Sequence, residues 1–417
     1  MKIIGRHKLL IENFFSLSIL NGLNVLLPLV TLPYMLSVVG KANYGVYSYI
    51  YVIVQYVILF STYGFNFSAT KQISQCRDDK EAVSRIYNSV IVSKSLIALF
   101  VSLLLLICSR WVFKNEVGMM MFVCGLGMIV GDIFTPVWLF QGMEKMRFMT
   151  IVNASSKVLF TLLIFIVVRE PEDYQLLISL NSCGYLLAGV LSLILVYRQF
   201  HLRLHWVKWS DVCLQLKEGS AVFGSTFGMN LYRNANVIIL KQFVADDVVG
   251  LYSAAEKVIK GFQSLISPAA QALFPHLSLR FKGQSVASNM QLLRKIAIPF
   301  TSVVLVVTLG VFLFAPLISD ILCGKGFSEC VPLIRIMTLV ILFGEINYLV
   351  GIVGLINMDG QRYFFRAVIA TGLFSVLFMV LMAPRYGGNA AAWAMSLSEI
   401  LLFVLCLLSL YRIYKRT

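Results

Sequence analysis

Eleven ionisable side chains stand inside stretches that are otherwise apolar enough to cross a membrane. Seven are basic: Lys94, Lys157, Arg233, Lys241, Lys257, Lys260 and Arg335. Four are acidic: Asp132, Glu256, Glu345 and Glu399. At a helix centre each costs at least about 2.5–3.5 kcal/mol on insertion scales, so none is expected to face lipid. They must pair, snorkel or line a wet cavity. The excess of three positive charges makes such a cavity cationic and suits an anionic ligand. Asp132, Glu256, Glu345 and Glu399 are the groups that could exchange H+ or Na+, or serve only as hydrogen-bonded structure. Glu345 and Glu399 have no basic residue three or four positions away.

Spacing places several of these groups on polar faces. Arg233 shares a helical stripe with Asn230, Asn234 and Lys241. Tyr252, Glu256 and Lys260 form a second stripe, in which Glu256 and Lys260 have the spacing of an i,i+4 ion pair. Lys257 would then be the unpaired charge. Lys157 lies deep in its run, one turn from Asn153. Ser48, Tyr51, Gln55, Thr62 and Asn66 share one face, and Asn21, Asn24 and Thr31 another. The uncharged stripes suit either a lumen or hydrogen bonding between helices. Lys94, Lys241 and Arg335 lie near the ends of their runs, and snorkelling accounts for the first two.

Catalytic and metal chemistry have little support. His7, His201, His205 and His276 lie in or beside cytoplasmic segments, and none joins an acid–His–nucleophile grouping. The eight cysteines are scattered, without a CxxC or a His/Cys cluster, so no metal site is expected. Most should be buried free thiols. Cys323 and Cys330 could share one extracytoplasmic loop, paired or unpaired.

The elements that must position these groups follow from composition. Only 13% of the 417 residues are charged and 59% are hydrophobic, and the mean hydropathy is +0.83. Average soluble chains are about 25% charged. A water-soluble enzyme, a disordered chain and a disulfide scaffold are therefore excluded. A span needs about 20 apolar residues. Twelve are expected, at about 14–39, 46–66, 88–108, 117–140, 149–168, 175–197, 220–243, 248–268, 296–314, 331–355, 367–383 and 390–410. Pro28, Pro33, Pro136, Pro268 and Pro275 lie in or beside them and can bend their helices. Lys2, Arg6 and Lys8 precede a run too long for a signal peptide, so that run reads as a retained first helix.

Basic residues set the orientation. Loops on the N-terminal side carry 22, whereas the opposite loops carry six: Lys41, Arg110, Lys114, Arg169, Lys325 and Arg385. This bias puts both termini in the cytoplasm. The net charge of +15 then reads as topology and attraction to anionic lipid, not as nucleic-acid binding. The chain also repeats. Gly45-Val46-Tyr47-Ser48 and Gly250-Leu251-Tyr252-Ser253 lie 205 residues apart, each after an expected extracytoplasmic turn. The expected fold is an all-α polytopic membrane protein in two parallel six-helix lobes. Spans 1–6 occupy 1–197, a cytoplasmic linker 198–219, and spans 7–12 occupy 220–417. In such transporters the substrate path runs between the repeats.

Several segments resemble the O-antigen flippases (Wzx-type) of the polysaccharide-transport family, in the multidrug/oligosaccharidyl-lipid/polysaccharide exporter superfamily. The start reads Ser16-Leu17-Ser18-Ile19-Leu20-Asn21-Gly22-Leu23-Asn24, followed by Leu27-Pro28 and Leu32-Pro33-Tyr34. Span 2 ends Tyr63-Gly64-Phe65-Asn66-Phe67-Ser68-Ala69-Thr70-Lys71, and span 4 ends Pro136-Val137-Trp138-Leu139-Phe140-Gln141-Gly142-Met143-Glu144. The second half opens Leu216-Lys217-Glu218-Gly219 and reaches Val249-Gly250-Leu251-Tyr252-Ser253-Ala254-Ala255-Glu256-Lys257.

The resemblance implies a V-shaped, MATE-like transporter of the bacterial cytoplasmic (inner) membrane. It would move an undecaprenyl-diphosphate-linked oligosaccharide to the periplasmic leaflet by alternating access. Its diphosphate would sit on Arg233, Lys257, Lys260 or Lys157. Its sugars would meet residues such as Asn230, Asn234, Gln55 and Asn66. Coupling, if any, would use H+ or Na+, with no other cofactor. Partners would be the bilayer and the polymerase and chain-length proteins of the same pathway. Two alternatives remain: a cation-coupled drug exporter of the same superfamily, which the cationic interior opposes, and a membrane polysaccharide polymerase or ligase. The latter usually needs a large outer loop with functional Arg or His, and the outer loops here lack His.

Overall fold

The computed structural model describes residues 2–113, 115–281, 283–324 and 326–416. Lys114, Lys325 and Thr417 lie outside the described residues, as do the side chains of residues 1–21 and of His276. Every regular element among the described residues is helical. Lipid offers no partner to a backbone N–H or C=O, and a helix satisfies both internally.

In chain order the helices are α1 (Lys2–Thr62), α2 (Phe65–Gln75), α3 (Lys80–Ile107), α4 (Ser109–Val112), α5 (Glu116–Ile133), α6 (Val137–Gly142) and α7 (Met146–Val167). There follow α8 (Tyr174–Phe200), α9 (Trp209–Leu240), α10 (Asp246–Phe281), α11 (Val286–Leu313), α12 (Ala315–Leu322), α13 (Cys330–Asn347) and α14 (Gln361–Arg416). A π-helical stretch, Tyr348–Leu355, extends α13.

The sequence explains several starts and breaks. Asp79 caps α3 by accepting from the N–H groups of Glu81 and Ala82, each at 3.0 Å. Asn115 caps α5 through Gly118 N–H at 2.8 Å, and Ser285 caps α11 through Ser288 N–H at 3.2 Å. The helical path of α1 is interrupted at Gly40 (φ 75°) and that of α14 at Gly387 (φ 52°). These interruptions fall at the turns expected between spans 1 and 2 and between spans 11 and 12. Pro136 stands at the start of α6, and Pro28, Pro33, Pro268 and Pro275 lie within helices.

Eight helical stretches among the described residues are long and apolar enough to cross a membrane. At 1.5 Å per residue, the 32 residues of α9 and the 36 of α10 also exceed the ~30 Å hydrocarbon thickness. Large apolar side chains are turned outward, among them Phe100, Leu104, Val306 and Leu313. In water such a surface would drive association; in lipid it has no such cost. The protein is therefore a multi-pass membrane protein.

The chain forms two compact units. The first comprises 1–27 and 46–227, and the second 28–45 and 228–417. In the first, α5 packs on α8, with Gly125 against Val54 and Ile178. In the second, Tyr232, Leu277, Leu293, Leu349, Val353 and Cys406 belong to one apolar cluster. The repeated glycines also meet within the second unit. A Cβ on Gly45 would stand 2.9 Å from Gly250 N and overlap the carbonyl of Asp246. A Cβ on Gly250 would stand 3.1 Å from Gly45 N and overlap the carbonyl of Lys41. The contact is reciprocal, and it joins the two glycines that lie 205 residues apart in the sequence.

Candidate functional site

The first unit holds two separate sets of polar contacts. Lys94 on α3 is only 3% exposed, so it does not snorkel. Its ammonium donates to Asp132 Oδ2 at 2.7 Å and to the Asp132 carbonyl at 2.9 Å. Position near a helix end was a poor guide because Lys94 faces the end of α5, not the headgroups. The second set lines α1 and its neighbours. Lys157 Nζ donates to Asn24 Oδ1 at 2.5 Å. Gln55 Nε2 points to the Tyr185 hydroxyl at 3.4 Å, and Asn181 Nδ2 donates to the Tyr47 hydroxyl at 3.3 Å. Asn66 lies just after the Tyr63–Gly64 turn, where its carbonyl accepts from Thr70 Oγ1 at 2.6 Å.

The second unit gathers more of the expected residues. Arg233 lies about three-quarters of the way along α9, in the middle of the expected span at 220–243, with its side chain 45% exposed. Its guanidinium donates to Glu399 Oε1 at 3.3 Å, and its Nε donates to the Tyr232 hydroxyl at 3.1 Å. Glu399 on α14 is 1% exposed. Its other oxygen accepts from Asn347 Nδ2 at 2.7 Å, and the same amide donates to the Glu399 carbonyl at 2.8 Å. A carboxylate absent from the local sequence neighbourhood of any cation is thus paired across 166 residues. Glu345, 4% exposed, accepts from Ser267 Oγ at 2.6 Å. It forms no ion pair among the described residues. The Asn347 side-chain oxygen is buried without a hydrogen-bond partner among them. Gly344 lets this layer close: a Cβ there would overlap Gln263 Nε2 and lie 3.8 Å from the Glu399 carboxyl carbon.

A chain of amides and charges runs beside it. Asn234 Nδ2 donates to Asn230 Oδ1 at 2.6 Å. Lys260 Nζ donates to Asn234 Oδ1 at 2.8 Å and pairs with Glu256 Oε1 at 2.9 Å. The i,i+4 pair is therefore formed, and its lysine is shared with α9. Lys257 stands over the Tyr44 ring, 5.5 Å from its centroid, so cation–π attraction partners a charge expected to be unpaired. Lys241 pairs with Asp246, and Arg335 stands over the Phe312 ring at 5.4 Å.

Sequence reasoning missed Asn347, Ser267, Gln263 and Tyr232 as members of this layer. The available signal was an amide, Asn347, two residues after Glu345 in a mostly apolar helix. Chemically, the layer holds an arginine that can present a free guanidinium edge, beside two buried carboxyl groups and an unsatisfied amide oxygen. No group of three or more His, Cys, Asp or Glu among the described residues could hold a metal ion.

Comparison with known proteins adds independent evidence. Over 408 residues the chain is 29% identical to a protein of Escherichia coli (strain K12) named "Putative O-antigen transporter", covering 95% of each. A Shigella dysenteriae protein of the same name is 26% identical over 97% of this chain and 100% of its own. Among solved structures, the lipid II flippase MurJ in an inward closed conformation superposes with a TM-score of 0.74. It shares 12% identity over 97% of this chain and 87% of that one. An inward-facing multidrug resistance MATE transporter of the MOP superfamily gives 0.70 at 13% identity, over 93% and 98%. Both likenesses concern the fold. The family model described as "Polysaccharide biosynthesis protein" matches residues 10–280, which is more than half of the chain, and the protein belongs to that family.

Proposed function

We propose that the protein carries an undecaprenyl-diphosphate-linked oligosaccharide, an O-antigen or related repeat unit, from the cytoplasmic to the periplasmic leaflet of the bacterial inner membrane. The reading takes twelve spans, with both termini in the cytoplasm, and alternating access. The names of the two relatives and of the lipid II flippase support this class of cargo. The observation that carries the reading is Arg233: a guanidinium in the middle of the expected span 220–243, nearly half exposed, whose carboxylate partner is buried. A diphosphate competes well for such a group because guanidinium binds two phosphate oxygens at once.

Charge bookkeeping then supplies coupling. When the diphosphate takes Arg233, Glu399 loses its cation while keeping its Asn347 hydrogen bond. A buried carboxylate without a counter-charge takes up a proton or a cation. When the diphosphate leaves, Arg233 returns to Glu399 and the H+ or Na+ is released, so the ion travels with the cargo, cancels one of its negative charges, and leaves the membrane potential to act on the net charge that remains. Lys260, Lys257 and Lys157 add positive charge, and Asn230, Asn234, Gln55 and Asn66 offer amide partners to sugar hydroxyls. Asp132 serves structure by neutralising Lys94, and Glu256 does the same for Lys260. The inside-negative potential adds about 2.3 kcal/mol per charge per 100 mV as anionic charge moves outward.

Deletion of the gene, followed by mass spectrometry of lipid extracts, tests the function. Accumulated undecaprenyl-diphosphate-linked repeat units and lost surface polysaccharide are expected. Unchanged surface polysaccharide with no accumulated intermediate refutes the proposal.

A further inference from the structure

The turn between α12 and α13 holds Cys323 and Cys330, both fully buried and both reduced in this structure. Hydrogen bonds within the turn draw the two residues together. The backbone fixes that meeting. Cys323 N–H donates to the Ser319 carbonyl at 2.8 Å, and Cys330 N–H donates to the Phe327 carbonyl at 2.9 Å. Ser319 Oγ reaches across the turn to the same Phe327 carbonyl at 3.0 Å. Gly324 and Gly326, each at φ 102°, reverse the chain between the two cysteines. Two thiols are thus packed together on the inner side of one short loop.

The surroundings give that loop a task. Glu329 pairs with Lys41 at 2.6 Å, next to the break at Gly40. Cys330 Sγ lies 3.7 Å from the Leu251 carbonyl at the start of the second repeat. Lys41 and Leu251 flank the crossing of Gly45 and Gly250. The turn therefore contacts both helices at the Gly45–Gly250 crossing.

We infer that Cys323 and Cys330 are joined by a disulfide in the mature protein, and that this bond fastens the turn against Lys41 and Leu251. The inference rests on the outward placement of this turn proposed above, because an oxidising compartment sustains such a bond and the cytosol does not. Two S–H bonds break and one S–S bond forms. The two electrons and two protons pass by thiol–disulfide exchange to an incoming protein disulfide, which leaves as a dithiol. Oxidation occurs while the turn is still open during insertion, and burial then shields the bond from reductant.

Peptide mapping of the full-length protein tests it. The protein is purified in detergent without reductant, denatured, blocked with N-ethylmaleimide and digested with trypsin. Cleavage after Lys325 puts the two cysteines on different peptides, 296–325 and 326–335. The expected product is the two peptides joined, two hydrogens lighter than their sum, and separated by reduction. In Cys323→Ser, Cys330 should take the maleimide before reduction. Wild-type protein with maleimide on both cysteines before reduction overturns the inference. A Cys323→Ser/Cys330→Ser/Ser328→Cys variant, treated in intact cells with a membrane-impermeant maleimide, separates the causes. Labelling at position 328 together with free wild-type thiols overturns the disulfide alone. No labelling there shows that the turn faces inward, and the proposed topology falls with the disulfide.

Discussion

Glu399→Gln should tighten diphosphate binding while stopping coupled export. In the resting protein Arg233 is held by Glu399 at 3.3 Å, so an incoming diphosphate must displace that carboxylate. Two unit charges at 4 Å and an effective dielectric of 20 attract by about 4 kcal/mol. The Arg233 side chain is 45% exposed, which screens the attraction. The range of about 1.5–3 kcal/mol found for hydrogen bonds to charged groups is therefore the better guide. Gln keeps the shape and an oxygen for Asn347 Nδ2, and removes the competing charge. At about 1.4 kcal/mol per tenfold, undecaprenyl diphosphate should bind the variant roughly 10–100 times more tightly. The assay is Kd by native mass spectrometry or fluorescence titration in nanodiscs. It is paired with surface-polysaccharide measurement in cells, where export should fall. Equal affinity for wild type and Glu399→Gln, or weaker binding by the variant, refutes the competition.

Four further outcomes follow from the same contacts. Arg233→Ala should abolish export while the protein still accumulates, and Arg233→Lys should retain part of it; quantitative blotting beside polysaccharide gels reads both. Lys94→Ala leaves the partly buried Asp132 without its cation and should cost less than the roughly 3–5 kcal/mol of a fully buried pair, because Asp132 is 24% exposed, seen as a lower Tm in detergent, with the Lys94→Ala/Asp132→Ala double variant recovering part. Gly250→Ala should lower Tm through overlap with the Lys41 carbonyl, by about 1–3 kcal/mol, whereas Gly310→Ala, with open space around it, should not. Reporter fusions at Thr417 and within 198–219 should read cytoplasmic and one at Glu172 extracytoplasmic, and the reverse pattern contradicts the topology.

The helices were legible because lipid leaves a chain no other way to satisfy its backbone, so apolar runs announce them. The interruptions at Gly40 and Gly387 fall where polar residues already divide the runs. Local site geometry was legible as well. The Asn230–Arg233–Asn234 face and the Glu256–Lys260 pair follow from helical spacing and are present. Partners across helices were not. Glu399 looked unpaired because nothing within one turn of it is basic, yet Arg233 reaches it from 166 residues away. Lys94 looked like a snorkelling residue because depth along a helix does not say which neighbour its face meets; it meets Asp132. Periodicity reports which side of a helix is polar, and only packing decides which two polar sides face each other.

Transbilayer movement in reconstituted liposomes tests the central claim most directly. A fluorescent undecaprenyl-diphosphate-linked oligosaccharide is incorporated, and its exposure to an impermeant quencher is followed over time. Liposomes holding the wild-type protein should equilibrate the lipid between leaflets, and liposomes holding Arg233→Ala should match protein-free vesicles. Wild-type liposomes that behave like protein-free ones, or an Arg233→Ala protein that moves the lipid as fast as wild type, contradict the account.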